Sequence, residues 1–154
     1  MRPAFLDHAG IEALVPHRGT MCLLDRMVGW DDARIECVAT GHRDPHHPLR
    51  SRTGLMAGTA IEYAAQAAAL HGGLLAKAAG ASARPGYLAS AREVRLGAWR
   101  LDDLPAAKVD ELRIVAERQA GDDGRLLYVF RIEHAGREIA TGRLAVVLGI
   151  DASS

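Results

Sequence analysis

A long alanine-rich stretch at residues 54–80 constrains the fold more than any other part of the chain. Alanine and leucine dominate it, β-branched residues are few, and small or apolar side chains recur at the spacing of one helical face. Between Leu55 and Leu75 the only ionisable side chains are those of Glu62, Tyr63 and His71. A helix with so little charge has to be covered on most sides, and its small side chains let a sheet approach closely. We therefore expect a long buried helix wrapped by strands.

Both ends of this helix carry recognisable signals. Thr59 and Glu62 have the Thr-x-x-Glu spacing of a capping box, and Gly80 suits a left-handed stop. From Thr59 to Ala79 the helix would be roughly 30 Å long at 1.5 Å per residue. Such a helix crosses a whole small domain.

Alternating, β-branched-rich segments flank the helix on both sides. Two precede it and four follow it, at residues 21–30, 33–41, 87–96, 108–120, 125–134 and 138–149. An antiparallel sheet of about six strands would bury one face, and the helix is the element available to cover it. With 154 residues, we expect one domain of the α+β class spanning residues 1–154.

Composition excludes several functions. The 19 basic and 19 acidic side chains cancel, so the overall charge gives no reason to expect nucleic acid as a partner. No run of eighteen apolar residues and no signal peptide occurs, so we expect no membrane span. Cys22 and Cys37 lack metal or redox spacing and are typical of buried free thiols in a reducing compartment, which predicts a cytoplasmic protein.

Three local motifs resemble the 3-hydroxyacyl-[acyl-carrier-protein] dehydratases. Leu-Val-Pro-His-Arg-Gly at residues 14–19, followed by Leu-Leu-Asp-Arg at residues 23–26, is similar to their opening motif. Glu-Tyr-Ala-Ala-Gln-Ala at residues 62–67 resembles their helix motif, and His-His-Pro-Leu at residues 46–49 occupies the place of their His-Phe-Pro-Gly loop. Within that superfamily the chain looks most like the small dehydratase-like subunits of aryl-polyene biosynthesis. The resemblance implies the hot-dog fold, in which a curled antiparallel sheet grips a central helix.

The chain departs from the family pattern in three places. Ala57-Gly58 stands where the dehydratases have Pro-Gly, and Leu49 replaces the glycine after their His-x-Pro. The loop before Glu62 is also one or two residues longer, which leaves open whether His46 or His47 matches the catalytic histidine. The spacing to Glu62 favours His47.

Dehydration needs a base for the C2 proton, an acid for the departing hydroxyl and donors for the thioester oxygen. A neutral histidine suits the first task. Glu62 suits the second if burial raises its pKa and keeps it protonated near neutral pH. Backbone N–H groups near Gly58, at the helix N-terminus, could face the thioester oxygen. Neither a metal nor an organic cofactor is needed for this chemistry.

Structural roles compete with these catalytic ones. Glu62 could serve only as the partner of Thr59 in the capping box, and Gln66 could either orient Glu62 or satisfy a buried backbone group. His46 and His47 could be solvent-facing loop residues, and a metal site formed by His42, His46, His47 and Asp44 would lack a second ligand group elsewhere in the chain. His17 is interpreted as a loop-shaping residue, and His71 as a packed core histidine.

The resemblance also implies partners. They are an acyl carrier protein with a phosphopantetheine-linked substrate, and a second hot-dog subunit, because in these dehydratases the histidine and the carboxylate come from different protomers. Arg50 and Arg52, beside the start of the helix, could bind the acidic carrier protein, although a solvated charged face explains them equally well.

Three functions stay open at this stage: a dehydratase of (3R)-hydroxyacyl groups on a carrier protein, a weakly catalytic or non-catalytic subunit that pairs with an active dehydratase, and a hot-dog thioesterase in which Glu62 activates water. The homodimer and the heterodimer are both compatible with the sequence.

Overall fold

A computed structural model describes residues 5–17, 19–82, 84, 86–122 and 124–149. Its two α-helices and seven strands follow in the order β1 (Leu6–Asp7), α1 (His8–Glu12), β2 (Arg26–Trp30), β3 (Arg34–Ala39), α2 (Ala60–Ala78), β4 (Gly86–Leu96), β5 (Leu112–Gly121), β6 (Arg125–His134) and β7 (Arg137–Leu148). Three short 3₁₀ turns occupy Gly19–Met21, Gly41–Arg43 and Ala57–Thr59.

The strands form one antiparallel sheet in the order β1-β2-β3-β5-β6-β7-β4. The two strands before the long helix and the four after it were all predicted. Residues 21–25, predicted as strand, instead form a 3₁₀ turn and a connection into β2. The additional strand β1 has only two residues, and the sequence pattern did not indicate it.

Helix α2 is buried on most sides, as its composition predicted. Its alanines at 64, 67 and 68 are almost completely buried and share one core with Ile114 of β5 and Phe130 of β6. A Cβ atom added at Gly73 would lie 2.9 Å from the carbonyl oxygen of Leu14, so a larger residue there would push that segment away. The small residues of α2 therefore permit close contact with the surrounding chain.

The predicted capping box at the start of α2 is wrong. The Thr59 side chain makes no capping hydrogen bond, because the 3₁₀ turn Ala57–Thr59 leads directly into the helix with Thr59 already in helical geometry. Glu62 contacts other residues and does not fold back onto Thr59. At the other end, Gly80 has φ +72°, in agreement with the predicted left-handed stop.

A buried carboxylate ties the start of α2 to the connection between β4 and β5. Asp102 accepts a hydrogen bond from the backbone N–H of Leu55 (3.0 Å) and forms salt bridges with Arg50 (3.0 Å) and Arg100 (2.8 Å). Its side chain is only 4% exposed, and these donors hold its pKa well below the usual range. Asp102 therefore fixes the position of the turn from which α2 begins.

Strand β4 lies at an end of the sheet, so its outer edge has no strand partner among the described residues. Its pairing with β7 shifts register between Leu88 and Ser90 and again between Arg92 and Arg95. Tyr87, Leu88 and Leu96 expose large apolar side chains. Within the described ranges, no helix is long and apolar enough to cross a membrane.

Candidate active site

The carboxyl group of Glu62 lies in the first turn of α2, on the part of the helix that the sheet leaves uncovered. Its Oε1 atom is 3.1 Å from Nε2 of His17 and accepts a hydrogen bond from Nε2 of Gln66 at 3.2 Å. The Glu62 side chain is 32% exposed, and that of His17 is 26% exposed. The pair therefore combines a fixed geometry with access from outside.

Gln66 is completely buried one turn further along α2. Its Oε1 atom accepts a hydrogen bond from the Leu23 N–H, and its Nε2 atom donates to the carbonyl oxygen of Met21, both at 2.8 Å. The same amide nitrogen contacts Glu62. Gln66 thus performs both roles considered from the sequence, because it satisfies buried backbone groups and also orients the carboxyl group.

The prediction that burial raises the pKa of Glu62 is wrong. The hydrogen bond from His17 is the largest effect and lowers the pKa, burial opposes it, and the contact with Gln66 lowers the pKa further. A carboxyl group stabilised in this way is ionised near neutral pH. Within this chain Glu62 is accordingly suited to accept a proton or to hold a positive charge.

His47 is buried on a different side of the same helix turn. The backbone N–H of Leu49 donates to its Nδ1 atom (3.1 Å), and its Nε2 atom lies 2.9 Å from the Tyr63 hydroxyl. Since Nδ1 accepts, the proton of the neutral ring is on Nε2 and points at Tyr63. Burial lowers the pKa of His47, which favours this neutral form. His46 is exposed, and its backbone N–H donates to Asp44.

The described chain does not bring His47 and Glu62 together. Glu62 and Tyr63 are consecutive residues of α2, and consecutive helical side chains point about 100° apart. His47 follows Tyr63, whereas Glu62 follows His17. In the described chain, His47 and Glu62 therefore belong to two separate pairs.

Gly58 precedes Glu62 by one turn and is exposed at the start of α2. A Cβ atom added there would meet nothing within 4 Å. The open space belongs to a cavity of about 430 Å³ whose other walls include Met56, Leu96 and Trp99. The position of Gly58 therefore allows a ligand to approach the helix N-terminus closely.

The ApeP-like family model, described as ApeP dehydratase, matches residues 9–153. This chain belongs to that dehydratase family. The match confirms the resemblance to the dehydratase-like subunits inferred from the motifs. No curated protein matches the sequence significantly.

Solved structures place this ApeP-like chain in the hot-dog fold. It is 24% identical to a chain of the dehydratase heterocomplex ApeI:P from Xenorhabdus doucetiae, with a TM-score of 0.79 and coverage of 92% of this chain and 91% of that chain. An HP0420 homologue from Helicobacter felis is 14% identical with a TM-score of 0.59, covering 90% and 87%. A hypothetical thioesterase from Streptococcus pneumoniae TIGR4, solved with coenzyme A, is 13% identical with a TM-score of 0.52, covering 80% and 84%. The predicted fold class is confirmed.

Arg50, a predicted substrate-binding residue of this ApeP-like chain, forms a salt bridge with the buried Asp102. Its guanidinium group therefore contributes to the position of the turn before α2. Arg52 is exposed and forms no ion pair with a described residue. Of the two arginines, Arg52 is the more available to an incoming partner.

Among the described residues, one group of side chains has the geometry to bind a metal ion. It is not the group of His42, His46, His47 and Asp44 that was considered from the sequence. Nε2 of His42 (3.1 Å) and Nε2 of His134 (2.8 Å) both contact Oδ1 of Asp110. However, Arg43 already contacts both oxygens of this carboxylate, at 2.6 and 3.1 Å. A metal ion would have to displace the charge-assisted hydrogen bonds from Arg43. The arrangement therefore fits an ion-pair network that joins the loop containing His42 to the connection between β4 and β5.

Sequence reasoning missed His17 as a partner of Glu62. The residue was interpreted as a loop-shaping residue of the opening motif. The sequence signal that could have indicated this contact was the opening motif, which contains His17 in the order expected for the family. Arg18 of that motif lies outside the described residues.

A second cavity, of about 260 Å³, follows the far half of α2. Between Glu62 and Ala69 every residue of α2 is buried, so other parts of the chain cover the helix between the carboxylate and this groove. The groove is lined by the side chains or backbone of Ala68, Ala69, Gly72, Leu75, Ala76, Ala81, Ser82, Arg84, Gly86, Arg118, Asp122, Leu126, Val146 and Leu148. Glu62 and the groove are therefore two separate openings along α2.

Proposed function

We propose that this chain dehydrates (3R)-3-hydroxyacyl thioesters on an acyl carrier protein to trans-2-enoyl thioesters. The observation that carries the proposal is the pairing of Glu62 with His17 at 3.1 Å, on the uncovered face of the central helix. Membership in the dehydratase family supports the reaction class. The contacts around Glu62 bring a base and an acid together in one place.

In the proposed reaction, the Glu62 carboxylate accepts the C2 proton of the substrate. The protonated imidazole of His17 donates a proton to the C3 hydroxyl as the C3–O bond breaks. The C2–H electron pair forms the C2=C3 double bond, and one water leaves. Proton transfer from Glu62 to His17 through their short contact then restores the starting state, so no external acid is consumed.

The surroundings support this assignment. Gln66 fixes the carboxyl group, and Gly58 lets the thioester oxygen approach the start of α2 closely. The groove beyond Gly72 provides room for the apolar part of a long acyl chain. No step requires a metal or an organic cofactor.

A second hot-dog subunit is the proposed protein partner. The outer edge of β4 is available for pairing, and its exposed Tyr87, Leu88 and Leu96 would become buried. A related chain is part of a heterocomplex. In the assembly we propose that His47 serves the site that contains the partner's carboxylate.

The alternative is a subunit that supports an active dehydratase without catalysis of its own. The hydrogen bond between His47 and Tyr63 favours it, because this contact occupies the ring proton of His47. The two functions differ in what the chain does alone.

Mass spectrometry of a 3-hydroxyacyl carrier protein incubated with the purified chain tests the proposal. We expect loss of one water, and reductions in rate of about 10²- to 10⁴-fold for Glu62→Ala and for His17→Ala. If His47→Ala abolishes activity and His17→Ala retains full activity, the catalytic pair is not His17–Glu62 but an intersubunit pair that includes His47. No loss of water from folded dimeric protein would favour the supporting role.

A further inference from the structure

A cavity of about 240 Å³ lies on the outer face of the sheet, which faces away from α2. On β6, Phe130 is buried in the core that contains α2, whereas Leu127 points to the opposite face and lines the cavity. Arg92, Arg125 and Arg143 also line it, and no lining residue is an Asp or a Glu. We call this cavity the arginine pit.

Short side chains in the middle of the pit account for its shape. Ser90 of β4 pairs with Ala145 of β7, which pairs with Leu127 of β6, so this row across the sheet contains two small residues. In the next row of the same face, Arg92 of β4 pairs with Arg143 of β7. The row on the other side contains the third arginine of the pit. Long basic side chains therefore stand on both sides of a low centre and can reach over it.

A β-bulge on the neighbouring strand adds an uncharged polar group to the lining. The pairing of β5 with β6 shifts register between Arg118 and Ala120, so Gln119 has no partner across these two strands. Bulges commonly redirect a side chain, and Gln119 lines the pit. Its amide and the hydroxyl of Ser90 can both donate hydrogen bonds to a bound group.

The positive charge of the pit is poorly balanced within the chain. Arg92 and Arg143 lie directly opposite each other, where Cβ atoms are about 5 Å apart and like charges are unfavourable. Among the described residues, Arg92 and Arg125 form no ion pair. The carboxylate of Asp122 accepts the backbone N–H of Arg125 (2.9 Å). A bound anion would relieve the repulsion between the guanidinium groups.

Glu93 is the carboxylate that pairs with an arginine of the pit. Its Oε2 atom accepts a hydrogen bond from Nε of Arg143 at 2.9 Å, but both side chains are exposed, so the pair contributes little. Glu93 lies in a second bulge, between Arg92 and Arg95, and has φ +52°, which is uncommon for a residue other than glycine. This carboxylate stays outside the lining and is placed where an incoming anion can displace it.

The donors of the pit match a phosphate group. A guanidinium presents a planar fork of N–H donors that fits two oxygens of a phosphate, and a phosphate monoester offers three oxygens and nearly two negative charges near neutral pH. One carboxylate would leave most of these donors unused. The cavity is close to the lower end of the ~300–1,000 Å³ range of small-molecule sites, and Leu127 gives it an apolar floor.

We propose that the arginine pit binds a small phosphorylated molecule. Its phosphate lies among Arg92, Arg125 and Arg143, and its organic part covers Leu127. The inference does not rest on the dehydratase function, because the pit and Glu62 lie on opposite sides of the sheet. A partner strand added at the edge of β4 would extend the sheet and leave this outer face open.

Amide chemical shifts of the full chain, recorded by NMR in its native assembly, test the proposal. The probes are phenyl phosphate, inorganic phosphate and phenol. We expect phenyl phosphate to shift the amide signals of Ser90 and Ala145 in a saturable way. Inorganic phosphate should bind more weakly because it does not cover Leu127, and phenol should not bind because it lacks the charge.

Substitutions at neighbouring positions should change the affinity for phenyl phosphate in opposite directions. Arg92→Gln and Arg143→Gln should each weaken binding about tenfold. Glu93→Gln should strengthen it several-fold, because it frees Arg143 and removes a negative charge near the phosphate. Arg131→Gln is the matched control: this arginine also lies on the outer face, pairs with Glu133 and is outside the lining, so its loss should leave the affinity unchanged.

Three results would overturn the proposal. The first is no saturable shift of the pit amides with phenyl phosphate at millimolar concentration. The second is equal weakening by Arg131→Gln and Arg92→Gln, which would indicate attraction by the general charge of the surface. The third is retention of the chain by vesicles that contain phosphatidic acid with no response to soluble phenyl phosphate, which would assign the arginines to a membrane surface.

Discussion

The imidazole of His47 is joined to the hydroxyl of Tyr63 at 2.9 Å, one position after the residue whose carboxyl group is paired with His17. One turn of α2 thus contacts two histidines, which come from two separate loops and lie on different sides of the helix. Contact with Gln66 links this turn to the segment around Met21 and Leu23 as well.

Removal of His17 should raise the pKa of Glu62. The His17 hydrogen bond is the largest cause of the lowered value, and without it burial favours the protonated acid. Titration of the Glu62 carboxyl carbon by NMR in His17→Ala checks the direction. His8→Ala, which removes a separate histidine–glutamate pair with Glu12, is the matched control and should leave the Glu62 titration unchanged.

Asp102 should be important for stability. Asp102→Ala removes the partner of Arg50 and Arg100 and leaves the Leu55 N–H without its acceptor, which we expect to cost about 3 kcal/mol of unfolding free energy. Asp103→Ala removes the adjacent exposed carboxylate and should leave the unfolding free energy within about 0.5 kcal/mol of that of the native chain. Urea denaturation of both variants measures the difference, and equal midpoints would refute the role of Asp102.

Stability should rise with pH across the range in which histidine titrates. Burial is the main cause that lowers the pKa values of His42, His47 and His71, so the folded state binds fewer protons than the unfolded state. The stabilisation is fully present above the unfolded pKa of about 6.5 and is lost as the pH falls from there through the lower folded pKa values. Denaturation midpoints between about pH 5 and 8 test this prediction, and a midpoint that rises on acidification would contradict it.

Gly72 should influence the acyl-chain length that the protein accepts. A leucine there would enter the groove of about 260 Å³, in which a Cβ atom at Gly72 already lies 3.8 Å from Leu126. We expect Gly72→Leu to lower kcat/KM for long-chain substrates at least tenfold, about 1.4 kcal/mol, and to spare short ones. Ala78→Leu, at an exposed helix position outside the groove, should affect neither class; an equal loss for both chain lengths in Gly72→Leu would indicate a general defect.

Patterns in the sequence predicted the central helix and the strands around it because these depend on local periodicity and side-chain size. The spacing from Arg125 to His134 predicted β6 with its observed bounds. Strand β1 has only two residues, which is too short for an alternating pattern to be detected in the sequence. Its pairing with Met27 and Arg26 depends on the tertiary fold.

The candidate site was harder to predict because its electrostatics depend on contacts between distant parts of the chain. Glu62 was selected because it is an unusual polar residue of an apolar helix, but its ionisation depends on His17, which no helical periodicity connects to it. In the same way, Asp102 and Arg50 are 52 positions apart and meet only in the folded chain. The catalytic roles of His46, His47 and Glu62 stay predictions, as do the substrate-binding roles of Gly58, Gln66 and Arg50.

The two ends of the sheet differ greatly in length. Strand β4 offers eleven residues at its outer edge, whereas β1 at the opposite end has two. A chain that pairs edge to edge through β4 uses the one long edge of its described sheet, and the short edge gives little template for a further copy. Assembly by strand pairing would therefore terminate at two subunits and would not propagate into a fibre.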